Sequence, residues 1–206
     1  MSTWVLRHTA LLGALIFAVA VIAFGAMWPG YSQLHFPFDA LGARDVPQAN
    51  AFNLIGLMWP GLMAAMAMMQ LRQRLPAQAG WPLRIGAQLV LLSCLGFVAM
   101  GLLPMDPTDL HNRASSWHAT AWMLWWVAFC PGAWLLAWGL RGQQAWRGLA
   151  RASAWAPLLL LLLVMVGVAL LPAGLAQRLS LAVWWGWLIL AGRSGWNAVA
   201  ARVSSQ

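Results

Sequence analysis

Lysine and glutamate are absent from this 206-residue chain. Its twelve basic residues are all arginine and its four acids all aspartate, so charged residues make up 8% of the sequence. A soluble domain carries about 25%. So few charges cannot cover a water-exposed surface, and lipid must cover most of the outside. Cysteine is nearly missing as well. Cys94 and Cys130 cannot build a disulfide framework, and no metal-type cysteine spacing exists. They read as small buried apolar residues, in segments that bring them to similar depth. What is abundant is apolar side chain, 62% of the residues, and tryptophan, with sixteen copies. The net charge of +8 is scattered in short clusters between apolar runs. That scatter excludes a nucleic-acid partner and matches membrane topology signals.

A spanning helix needs about 20 mostly apolar residues. Six segments qualify, at roughly 10–28, 52–71, 85–103, 116–140, 154–171 and 179–195. We expect an all-α, polytopic membrane protein: one transmembrane domain over 1–206, folded as a six-transmembrane-helix bundle. The first segment follows Arg7 and His8, but it is long for a signal core and lacks a small-x-small cleavage site, so it reads as a retained helix. Arg7, Arg72, Arg74, Arg84, Arg141, Arg147, Arg151, Arg193 and Arg202 fall on one side; Arg44, Arg113 and Arg178 fall on the other. Basic residues favour the cytoplasm. Both termini are therefore expected inside, in a bacterial cytoplasmic (inner) membrane, and Asp39, Asp45, Asp106 and Asp109 all face outward.

Trp28, Trp59, Trp81, Trp117, Trp138 and Trp155 lie near expected helix ends, where an indole sits half in lipid and half in water. Trp122, Trp125, Trp126, Trp184, Trp185 and Trp187 lie deeper. They read as packing bulk, with the wall of a cavity for a lipid tail as the sharper alternative. Pro60, Pro131 and Pro157 sit inside spanning segments, where each removes a backbone donor and favours a kink.

Chemistry concentrates in the stretch Pro104 to His118, which holds two of the four acids and two of the four histidines. Asn112, Ser115 or Ser116 can cap the fourth helix. His118 then lies about one turn inside, where ionisable groups are costly and turn to the protein interior. It is the leading functional candidate. His111 and His118 are seven residues apart, about 10 Å along one helix, so they share a metal ion only if His111 folds back from the loop. Asp109 and Asp106 could complete that site, with His35 and Asp39 from the first outer loop. A divalent metal such as zinc is the cofactor this collection would take. No HExxH-type spacing supports it. A second arrangement uses Ser115 as nucleophile, His118 as base and Asp106 or Asp109 to orient it. The plain alternative is a polar outer cap in which Asp106 or Asp109 pairs with Arg113. Asn53, on the second helix near the same face, is a further polar candidate, and Gly56 and Gly61 beside it allow close helix approach.

The chain also resembles a known family. Six helices in about 200 residues, Asn53-x-x-Gly56 with Gly61, Pro104-x-Asp106 followed by His111, and Gly174 followed by Arg178 are similar to the prokaryotic membrane family called domain of unknown function 998. The resemblance covers nearly the whole chain. It implies a six-helix bundle, implies no established activity, and draws attention to Asp106, His111 and Arg178.

Three functions fit this reading. The leading one is the handling of a membrane lipid or small molecule at an outward-facing His/Asp site, with Arg113, Asn53 and Arg178 binding the substrate. Its catalytic form is metal-assisted hydrolysis. The second is a transporter or proton relay through His118, which the lack of acids deep in any helix weakens. The third is an accessory protein, or a homo-oligomer, that binds a partner through helix faces such as that of Gly56 and Gly61.

Overall fold

The protein, in a computed structural model, is described over residues 3–76 and 80–203. Among these residues it is all-helical, with no strand. The long helices are α1 (Thr3–Met27), α2 (Ala49–Arg74), α3 (Trp81–Leu102), α4 (Arg113–Gly139), α5 (Gln144–Leu170) and α6 (Ala173–Val203). Five stretches, His8–Met27 and the whole of α2 to α5, are long and apolar enough to cross a membrane by length and composition. The last two expected spans, 154–171 and 179–195, correspond to helices that start earlier, at Gln144 and Ala173. Arg147 and Arg151, expected in a loop, lie on α5.

Packing follows sequence order with one closure. α4 lies between α3 and α5, and α6 returns to pack on α1, α2 and α5. The α3/α4 pair approaches most closely where small residues meet. A Cβ on Gly86 would stand 2.8 Å from the Gly132 carbonyl oxygen, and one on Gly96 would stand 2.9 Å from the Trp125 nitrogen. Gly56 and Gly61 are used in the same way. Gly56 faces Phe52 of its own helix and Ala20 of α1, and Gly61 faces Val98 and Phe97 of α3. The glycine face suggested for a partner is thus filled by the chain's own helices.

Two of the three prolines have irregular turns nearby. α2 widens to a π-turn at Asn53–Met58 just before Pro60, and α5 widens at Leu163–Gly167 after Pro157. The turn before Pro60 includes Gly56, whose carbonyl the missing proline donor would otherwise strand, whereas the turn after Pro157 does not reach Ser153, the residue that Pro157 leaves without a donor. Pro131 is accommodated within a continuous α4.

The deep tryptophans mostly form core. Trp125 and Trp184 are fully buried and pack edge-to-face at 5.8 Å, and Trp184 also packs on Phe97 at 5.2 Å. Trp184 donates to the Ser93 hydroxyl at 3.1 Å and Trp187 to that of Ser153 at 3.0 Å. A buried indole N–H left without an acceptor is costly, so these serines fix the register of α6 against α3 and α5. Trp59, Trp81, Trp117, Trp138 and Trp155 are exposed, as interfacial residues should be. Cys94 and Cys130 are buried free thiols.

Candidate functional site

One end of the bundle gathers the polar residues. The first loop, the α3–α4 loop and the start of α6 meet there. Arg44 N donates to Met105 O at 2.9 Å, and Leu175 N donates to Leu34 O at 2.9 Å. The first loop contains a 3-10 turn, Phe38–Gly42, entered through Pro37. Phe38 is fully buried, edge-on to Phe17 at 5.4 Å and stacked with Phe97 at 6.4 Å. Anchoring Phe38 in this aromatic core draws the next residue, Asp39, inside with it.

Asp39 meets His118 there. His118 Nε2 lies 3.3 Å from Asp39 Oδ2, and the side chains are 7% and 10% exposed respectively. The other imidazole nitrogen, Nδ1, lies 2.8 Å from the Leu103 carbonyl oxygen. A carbonyl only accepts, so Nδ1 carries a hydrogen. The Nε2–Oδ2 contact is then attractive only with a proton between the two atoms. The pair therefore holds one proton in common and is neutral as a unit. Gln177, in the second turn of α6, donates to the same Oδ2 at 3.2 Å and accepts from the Phe38 backbone at 2.8 Å. Asp39 Oδ1 is buried and has no hydrogen-bond partner.

Asn53 supports the turn that carries Asp39. Its Nδ2 donates to Gly42 O at 2.9 Å, and its carboxamide occupies the space where a Cβ on Gly42 would stand. The first wide turn of α2 thus braces the acid from below.

Arg178, one residue after Gln177, clamps the first loop to α6. All five of its N–H groups are engaged. Nε and Nη2 reach Gln33 Oε1 at 3.1 and 2.6 Å, Nη2 also reaches the Tyr31 hydroxyl at 2.7 Å, and Nη1 reaches the Phe36 and Gly174 carbonyls at 2.9 Å each. Every acceptor is neutral, so no carboxylate neutralises the guanidinium. Tyr31, the single tyrosine, donates onward to Pro37 O at 3.0 Å. Burial pushes its phenol up, against the lowering pull of Arg178.

Beside this clamp, α1 and α6 leave a cleft of about 400 Å³. Ala14, Phe17, Ala18, Leu181 and Trp185 line it, and Gln33 and Arg178 close its polar end.

The other expected residues do different work. Asp106 accepts from the Thr108 hydroxyl at 2.6 Å, the Thr108 backbone at 2.9 Å and Asn112 Nδ2 at 2.7 Å. The Thr108 bonds, then that of Asn112, hold its carboxyl below its ordinary value. Asp109 accepts from the His111 backbone at 2.9 Å. Asn112 is the cap of α4, accepting from Ser115 N at 2.9 Å. The Ser115 hydroxyl accepts from Asp106 N at 3.0 Å and lies 2.9 Å from Asp109 O. With both imidazole nitrogens engaged elsewhere, Ser115, His118 and Asp106 do not form one hydrogen-bonded triad. His35 and His111 are exposed, and His35 Nδ1 lies 3.0 Å from the Ser32 hydroxyl. No three His, Cys, Asp or Glu side chains among the described residues group to hold a metal ion. Arg113 is exposed at the first position of α4, with no ion pair to Asp106 or Asp109 among the described residues.

Sequence reasoning placed Asp39 only at the margin of the site and passed over Gln177, Gln33 and Tyr31. Their signal was available: in so apolar a chain, Gln177 and Arg178 are adjacent polar residues opening the last helix.

The profile of a family described as "Protein of unknown function (DUF998)" matches residues 11–194. The chain belongs to the DUF998 family. No curated protein and no solved structure matches it.

Proposed function

We propose that this DUF998 protein is a six-span protein of the bacterial cytoplasmic membrane, with both ends inside, that binds an amphiphile at its outward end. The observation that carries this reading is the α1/α6 cleft. Its walls are apolar, which suits a lipid tail. Its polar end lies against Arg178, whose N–H groups are all engaged within the chain but whose charge no carboxylate neutralises, and that charge favours an anionic head. The His118–Asp39–Gln177 group lies alongside, through the neighbouring residues Gln177 and Arg178. It holds a buried proton next along α6 from the cleft's Arg178.

Ala18→Trp tests the reading, since Ala18 is exposed on the cleft wall and its replacement fills the space. Native mass spectrometry of the gently extracted protein should find an amphiphile on the wild type and lose it in the variant. An unchanged mass distribution would refute the cleft as its site. Orientation is checked with Leu110→Cys, because Leu110 is exposed in the α3–α4 loop and both native thiols are buried. A membrane-impermeant maleimide should label it in intact cells.

A second reading, a proton-coupled transporter, draws support from the unpartnered Asp39 Oδ1. It predicts that vesicles containing the protein dissipate a pH gradient and that Asp39→Asn vesicles do not.

A further inference from the structure

We infer that the opposite end of the bundle carries a separate site for one anionic phospholipid of the membrane. Its headgroup is held by Arg141, Arg147 and Arg151, and an acyl chain lies in the groove between α5 and α6.

Charge is the first argument. All four acids belong to the first loop and the α3–α4 loop, so the α4–α5 end has none. Yet three arginines line one recess there, of about 320 Å³. α4 ends at Gly139, and the chain turns through Gly142, whose φ of +79° is a conformation that favours glycine. This turn sets Arg141 against the first turns of α5. Three guanidiniums around one recess, with no aspartate or glutamate at that end, call for an anion from outside. A phosphodiester fits, because each guanidinium offers paired donors to two oxygens.

Continuity is the second argument. Arg147, Arg151 and Trp155 are spaced by four and run down one stripe of α5. Trp155 is 71% exposed and borders the arginine recess. It also borders a second recess, of about 590 Å³, between α5 and α6. The walls of that recess are apolar, including Leu159, Leu162, Trp187 and Leu190. Gly186 faces open space, with nothing within 4 Å of an added Cβ. Cations, then an interfacial indole, then an apolar groove reproduce the polarity of a phospholipid along its length. A free phosphate would use only the first of these parts, so the paired recesses identify the occupant as a lipid.

The site is independent of the α1/α6 cleft, and so is its test. The full chain is delipidated in mild detergent and titrated with phosphatidylglycerol or phosphatidylcholine, with occupancy read by native mass spectrometry. One phosphatidylglycerol should bind per chain at least about tenfold more tightly than phosphatidylcholine. Arg147→Gln/Arg151→Gln should remove that preference. Gly186→Leu fills the groove from a position with free space, so it should fold normally and weaken phosphatidylglycerol binding about tenfold. Both variants should leave any amphiphile lost in Ala18→Trp bound. Equal binding of the two lipids would overturn the proposal. So would unchanged phosphatidylglycerol binding in Gly186→Leu, or full competition by glycerol 1-phosphate, which has no tail.

Discussion

Removing the His118 imidazole should cost far more than the hydrogen bonds it makes. In His118→Leu two contacts disappear, one to Leu103 O and one to Asp39 Oδ2. Hydrogen bonds between membrane helices average about 0.6 kcal/mol, so their loss accounts for about 1 kcal/mol. The larger effect falls on what remains. Asp39 is 8% exposed, its Oδ1 has no partner, and Gln177 is the single donor left on Oδ2. Its carboxyl must then stay charged inside the protein or take up a proton of its own. Breaking a buried pair from one side costs about 3–5 kcal/mol for this reason. The assay is unfolding by sodium dodecyl sulfate in mixed micelles, followed by tryptophan fluorescence. His118→Leu should lose about 3–5 kcal/mol. Adding Asp39→Asn should recover at least about 2 kcal/mol, because it removes the stranded charge. A loss near 1 kcal/mol in His118→Leu, with additive effects in the double variant, would refute the shared-proton account of the pair.

Three other outcomes follow from the same geometry. Gly42→Ala places a methyl in the Asn53 carboxamide, so it should destabilise by about 1–3 kcal/mol in the same unfolding assay, the usual range for overpacking. Arg178→Lys keeps the charge but cannot reproduce five N–H bonds, so proteolysis within the first loop should become faster despite the conserved charge. Asp106, held low by Thr108 and Asn112, should stabilise the α3–α4 loop fully above the ordinary carboxylate value of about 3.9. That contribution should fade as pH falls through its lower folded value. The ¹³C shift of the Asp106 carboxyl checks this, and a titration at or above 3.9 would contradict it.

The helices were legible in sequence because lipid imposes a strict condition. Backbone polar groups must be satisfied within the helix, and about 20 apolar residues must follow one another. The start of α5 was not legible for a related reason. Arg147 and Arg151 look like loop residues on hydropathy alone, yet a helix can extend beyond the apolar layer and carry its cations at the interface. The candidates of the α3–α4 loop stood out by their density of polar groups, and density proved a poor guide to who pairs with whom. Asp106 and Asp109 sit among Thr108, Asn112 and free backbone N–H groups. Short-range capping satisfies them before any distant partner is reached.

Asp39 has the opposite neighbourhood. In Pro37-Phe38-Asp39-Ala40-Leu41 it has no local donor side chain, and Phe38 and Leu41 on either side are buried. An acid carried inward by such neighbours must find its partner across the fold, and His118, 79 positions away, is that partner. Gln177, beside Arg178 at the start of α6, also finds its partners across the fold. Its amide reaches Asp39 and Phe38 on the first loop. In a chain this poor in charge, a polar residue that pairs across the fold is therefore more readily found by the absence of local partners than by their abundance. Crowded polar groups satisfy one another, and solitary ones are left to reach distant partners.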